Sequence, residues 1–390
     1  MIGLHTPRLF DGESFHNNQV VLVEDGRIHD ITTAPPSGIR MWQVPEHAVL
    51  APGFVDLQVN GGGGIMFNDD TTPDGLRRIA AAHARTGSTS ILPTLISGSR
   101  EKLAMALAAA RSAIAAKIPG IIGLHLEGPF LAHTRAGIHP PDAIIPMTDA
   151  DVALLTAPFP ASLMVTLAPE MVDPSMIARL AEAGVIVFAG HTDASWEQLQ
   201  PALSAGLAGF THLFNAMSQF AGRSPGAVGT ALADGTAQAG IIMDGHHLHP
   251  ASMRAAYAAM GAGRLFLVSD AMATAGSNVT GFQLGEKWIA LRDGRLTDDA
   301  GTLAGAHLTM AEAVRNAVVM AGLPLGDALR MATSTPANAA RRPDIGRIAP
   351  GCRADFVMLD AEQRVLTVWQ GGVAEAGGPA SADLAKDQPG

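Results

Sequence analysis

The stretch IIGLHLEGPFL, residues 121–131, reads as a short apolar strand, Ile121 to Leu126, with a carboxylate, Glu127, at its end. Seven other short runs have the same character: Phe54 to Gln58, Thr89 to Leu92, Leu163 to Leu167, Val185 to Ala189, Gly209 to His212, Gly240 to Met243 and Leu265 to Ser269. Between many of them lie Ala-rich segments with apolar residues at helical spacing, such as Asp74 to Arg85, Arg100 to Lys117, Pro174 to Ala183, Ser195 to Ala205 and Pro250 to Met260. Eight strands alternating with helices predict an α/β fold of the (β/α)8 TIM-like barrel type. By periodicity alone, a doubly wound sheet of eight strands reads the same way.

A barrel carries its chemistry on the C-terminal ends of its strands, and polar side chains fall there. The first run ends in Gln58-Val59-Asn60, the third in Glu127, the fifth in His191, the sixth in His212, the seventh in Asp244 with His246 and His247, and the eighth in Asp270. Glu127, His191 and His212 offer two imidazole nitrogens and one carboxylate, a donor set that holds a divalent metal and leaves positions open for substrate. Asp270 is placed to take a proton from an attacking water and deliver it to a leaving nitrogen.

The two ends of the chain read differently. Val20 to Glu24, Ile28 to Thr32, Val49 to Ala51, Asp355 to Leu359 and Val365 to Trp369 are short strands between turn residues. They are expected to pair into one small β-sandwich domain, residues 1–51 with 346–375, around a barrel of residues 52–345. A frayed tail is expected over 376–390. A hairpin is expected within Gly281 to Thr302, after the eighth strand.

Composition sets the outer bounds. With 390 residues, 47% hydrophobic and 16% charged, the chain can bury a large core and is not disordered by composition. A formal charge of -10 gives no overall field for nucleic acid or an anionic membrane. No apolar run approaches the roughly 18 residues that span a bilayer, and Met1 to Phe10 lacks the basic start and apolar stretch of a secretory signal. Cys352 has no partner cysteine; together these predict a cytoplasmic protein. The four lysines, Lys102, Lys117, Lys287 and Lys386, follow no barrel strand, which disfavours Schiff-base and carbamylated-lysine chemistry.

The segments PGFVDLQVNGGGG (52–64), GLHLEGPFL (123–131), TLAPE (166–170), AGHTDAS (189–195), THLFNAMS (211–218), GRSPG (222–226), MDGHH (243–247), LVSDAMATAG (267–276) and GTLAGAHLTM (301–310) resemble the N-acetylglucosamine-6-phosphate deacetylases of the amidohydrolase superfamily, in order and over nearly the whole chain. The resemblance implies hydrolysis of N-acetyl-D-glucosamine 6-phosphate to D-glucosamine 6-phosphate and acetate in amino-sugar catabolism. N-acetylgalactosamine 6-phosphate or another N-acyl substrate is the alternative, with a non-catalytic phosphosugar-binding protein behind it. It implies Glu127, His191 and His212 as ligands of one divalent ion, zinc first, with iron or another divalent ion also suiting the site. Asp270 becomes the catalytic acid and base.

It further implies that Ile138 and His139 face the amide and sugar, that Asn215 and Ala216 hold phosphate and sugar, and that Asp244, Gly245, His246, His247, Leu303, Ala304 and Gly305 make further substrate contacts. Arg223 is expected to reach the active site of the neighbouring subunit in a homodimer. The chain departs from many amidohydrolases in having Gln58-Val59-Asn60 where others carry His-X-His. One metal rather than two is therefore expected. Ile138, Pro140 and Gly63 also depart from relatives, at the pocket rim.

Overall fold

The computed structural model describes residues 1–34 and 37–374, so the expected tail at 376–390 and the last residue of the expected small domain lie outside the described residues. Eight parallel strands, Phe54–Val59, Ser88–Ile96, Gly123–Glu127, Ser162–Leu167, Ile186–Ala189, Gly209–Phe210, Gln238–Ile241 and Leu265–Leu267, pair each with the next in chain order. The last meets the first through a parallel bridge between Val59 and Ala271, where Asn60 N–H donates to the Ala271 carbonyl at 2.9 Å. Asp56 accepts the Ser269 N–H at 3.2 Å across the same seam. This closure is a barrel, and the doubly wound alternative is excluded.

The third and fourth strands are buried along their whole length. Both faces are covered, by the barrel interior on one side and helices on the other, which is why they read as nearly continuous apolar runs. The helices Pro73–Ala84, Arg100–Ala115, Pro174–Glu182, Trp196–Ser204 and Pro250–Met260 lie where helical spacing predicts them. Side chains at their starts satisfy free N–H groups: Thr72 accepts from Gly75 N, Ser99 from Lys102 N, and Ser195 forms a reciprocal capping box with Gln198. Further helices, among them Gly226–Ala233, Met310–Val319 and Leu325–Ala332, complete the outer layer.

Strands from both chain ends form one mixed sheet. Val49–Pro52 joins the two halves, pairing in parallel with Ile2–Phe10 at one edge and antiparallel with Phe356–Leu359 at the other. The period of two decides what each side chain does. Leu50, Phe356 and Met358 turn into a small core with Leu4, Val21, Ile28 and Trp369, while Val49, Ala51, Val357 and Leu359 join the core of the barrel.

The insertion after the eighth strand is a three-stranded sheet, Gly281–Leu284, Lys287–Arg292 and Arg295–Thr297, one strand more than the expected hairpin. The extra strand forms because Asp293-Gly294 makes a second tight turn, with both residues at positive φ. Its apolar face, including Phe282, Leu284 and Ile289, packs with Ile96, Met272 and Ile138 from the barrel mouth. No helix among the described residues is long and apolar enough to cross a membrane.

Candidate active site

A cavity of about 540 Å³ opens at the C-terminal ends of the strands. Glu127, His191, His212 and Asp270 all reach it. His191, His212 and Asp270 have φ of 48°, 33° and 49°. Left-handed backbone costs a non-glycine residue roughly 1–2 kcal/mol, and here it turns each side chain off its strand into the mouth. Gly128, immediately after Glu127, has φ 83°, and a Cβ there would lie 2.3 Å from Ser97 Oγ. Glycine is needed for the chain to leave the strand beside Ser97.

Glu127 Oε1 lies 3.2 Å from His191 Nε2 and 2.9 Å from His212 Nε2, and the two nitrogens are 3.1 Å apart. Four ligands placed tetrahedrally at about 2.0–2.1 Å from a zinc ion are separated by about 3.3 Å, so this triangle has the size a small divalent cation requires. The tautomer of His191 agrees, while His212 Nδ1 has no hydrogen-bond partner among the described residues. His191 Nδ1–H donates to the Arg135 carbonyl at 2.8 Å, which leaves Nε2 as a lone pair facing the triangle. Gln58 Nε2 donates to both Glu127 oxygens, at 3.1 and 3.2 Å, and steadies the carboxylate. Burial alone would raise the Glu127 pKa, but when no ion is bound the Nε2 atoms of His191 and His212 can carry protons, and their hydrogen bonds and charge then hold the carboxylate well below the usual range.

His139 also brings a ring nitrogen within 4.8 Å of ligand atoms of Glu127 and His191. Its Nδ1 accepts the Ser97 N–H at 3.2 Å and is bonded to Ser97 Oγ at 2.8 Å, so the ring proton sits on Nε2. A protonated nitrogen is a donor and not a ligand, which separates His139 from His191. Burial, helped by the neighbouring His191, pushes its pKa down to about 3, so the ring is neutral.

Asp270 Oδ1 accepts from Asn60 Nδ2 at 2.7 Å. Burial, with the negative charge of Glu127, pushes the Asp270 pKa up to about 6, close to the range in which a carboxyl can both take and return a proton. The Asn60 bond favours the ionised form. In Asn60→Ala the Asp270 pKa therefore rises, and the acidic limb of the rate profile is expected to move to higher pH; an unchanged limb in kcat/KM against pH would refute this role.

The Amidohydrolase family model matches residues 49–387. The chain belongs to the amidohydrolase family. It is 45% identical over 323 residues to an N-acetylgalactosamine-6-phosphate deacetylase of Shewanella sp. (strain ANA-3), covering 83% of this chain and 82% of that relative. It is 34% identical over 321 residues to an N-acetylglucosamine-6-phosphate deacetylase of Haemophilus influenzae, covering 81% and 84%. Among solved structures, N-acetylglucosamine-6-phosphate deacetylase from Pasteurella multocida superposes with a TM-score of 0.92 at 31% identity, over 96% of this chain and all of the other.

In this amidohydrolase, Ile138, His139, Asn215, Ala216, His247, Leu303 and Gly305 line the same cavity as the four strand-end residues. Asp244 stands behind it, accepting from His247 Nδ1 at 2.6 Å and from the His246 and His247 N–H groups at 2.8 Å. Gly245 and His246 are exposed on the outside of that turn, and Ala304 is buried under the inserted sheet. Arg223 lies exposed in the turn 221–224, away from the cavity of its own chain. Thr134, Arg135, Ile242, Met272 and Thr302 also line the amidohydrolase cavity, and neither their residue types nor their spacing marks them in the sequence. Gln58 and Asn60 stand out there as missing imidazoles, yet their amide N–H groups hold the two carboxylates of the site.

Proposed function

We propose that this amidohydrolase removes the acetyl group of N-acetyl-D-glucosamine 6-phosphate, giving D-glucosamine 6-phosphate and acetate. The observation that carries the reading is the Glu127–His191–His212 triangle opening into one cavity with Asp270. The substrate is supported by the names of the relatives. Glu127, His191 and His212 are the proposed ligands of one divalent ion per chain, zinc first, and when bound it supplies Lewis acidity and favours ionisation of water at neutral pH.

The residues of the chain divide the remaining work. Asp270, held by Asn60, accepts the proton of the attacking water and later passes it to the departing amine. His139 presents Nε2–H to the acetamide oxygen as negative charge builds on it. The sugar phosphate lies on the 213–216 turn, where the Asn215 N–H is already spent on the His212 carbonyl at 2.9 Å. The Ala216 N–H, on left-handed backbone at φ 47°, is the donor proposed for the anion, and His247 lines the same cavity. Arg223 of a second copy completes the phosphate site in a homodimer. Local donors of this kind bind an anion despite the net charge of -10.

The 45% identity with the Shewanella relative favours a second reading, N-acetylgalactosamine 6-phosphate as substrate. Acetate release from the two phosphosugars and from unphosphorylated N-acetylglucosamine, with and without a chelator, separates the possibilities. The expected result is release from N-acetylglucosamine 6-phosphate, suppressed by the chelator and much reduced without the phosphate. Faster release from the galacto epimer establishes the second reading, and binding without acetate from any sugar refutes catalysis.

A further inference from the structure

Two loops carry the groups that surround His191. The loop after the third strand holds Arg135, Gly137, Ile138 and His139, and the loop after the fifth holds His191 itself with Thr192 and Asp193. Three contacts tie them together. Arg135 Nε and Nη2 both donate to Asp193 Oδ1, at 2.9 and 2.6 Å. The Arg135 carbonyl accepts His191 Nδ1–H at 2.8 Å, and Ala132 N–H donates to the His191 carbonyl at 3.0 Å. From the loop after the fourth strand, Glu170 accepts Thr192 Oγ1–H and Asp193 N–H, each at 2.5 Å, which fixes the backbone next to His191.

We infer that Arg135 and Asp193, braced by Glu170, are positioning residues that hold His191 in metal-binding orientation and keep the His139 loop over the cavity. The pair acts through one atom: Arg135 is the residue whose carbonyl sets the His191 tautomer, and its guanidinium anchors that residue to the strand-five loop. Neither side chain is buried, at 36% and 47% exposure. An exposed pair of this kind contributes little to global stability. A pair worth little to the fold that bridges a metal ligand to the loop of His139 is better explained by the site than by the scaffold. The inference rests on the reading of His191 as a metal ligand.

The test uses the full chain stripped with chelator and titrated with zinc alone against a competing chelator. Asp193→Ala and Arg135→Ala each keep the Arg135 carbonyl and remove only its anchor, so each is expected to weaken zinc affinity by roughly 3–10-fold, below the roughly 10–100-fold of losing the direct partner of a metal-bound histidine. The thermal midpoint of the zinc-free protein should not move. The double variant should be no worse than either single one, since both remove the same link, and Asp193→Asn, which keeps the acceptor oxygen, should retain part of the affinity. Unchanged zinc affinity in both single variants overturns the proposal, as does a zinc-free midpoint that falls in step with affinity. If the wild type binds zinc and the variants lose affinity while no acetylated sugar is hydrolysed, the positioning role stands and the substrate reading fails.

Discussion

Asp270→Asn is expected to lower turnover by roughly 10²–10⁴-fold, the range a positioned general acid and base contributes, with the metal content unchanged. The substitution preserves shape, and Asn tolerates the left-handed backbone that Asp270 adopts at φ 49°. The strand end should therefore keep its course. What is lost is the ability to hold a proton between the attack of water and the departure of the amine. The introduced side chain can keep its carbonyl oxygen toward Asn60 Nδ2 and so retain that hydrogen bond. A variant that contained its metal and turned over at near-normal rate would remove Asp270 from the mechanism.

His212→Ala should be the more severe loss, because it acts on the metal itself. Two of the three proposed ligands, Glu127 and His191, remain, and the Glu127 carboxylate loses the partner 2.9 Å away that helps keep it ionised. Metal analysis of the purified variant should fall to background, with acetate release lost alongside. The wild type should carry close to one ion per chain. Gln58 and Asn60 supply amide N–H groups, committed to Glu127 and Asp270, at the positions where a second ion would need imidazole. A firm value of two ions per chain would sink that argument, and a His212→Ala protein with full metal would sink the ligand assignment.

The barrel is legible in the sequence because its strands are buried on both faces and its helices on one, so the two kinds of segment differ in period. The strand-end residues are legible because a short apolar run such as Gly123–Glu127 leaves little doubt about which residue comes last. Side-chain direction is less accessible. Ala304 belongs to a substrate-contacting segment by resemblance, but Leu303 pairs with Thr297 and the Ala304 N–H donates to the Leu296 carbonyl, which turns its methyl group into the satellite core. His246 is carried outward because Asp244 gathers two successive N–H groups into a tight turn that sends only His247 inward. Arg135 escapes notice for another reason. Its loop has no periodicity, and the atom that matters is a backbone carbonyl, which every residue possesses.

The small sheet has a consequence for how the protein is made. Val49–Pro52 pairs with Phe356–Leu359, segments separated by roughly 300 positions in the chain. At about 5–20 residues per second, the first strands leave the ribosome some tens of seconds before their partners exist. Throughout that interval the Val49–Pro52 edge carries unpaired N–H and C=O groups and apolar side chains on both faces. Production of this enzyme should thus be limited by what protects its earliest strands during translation, and a chain ending before Phe356 would release that edge permanently.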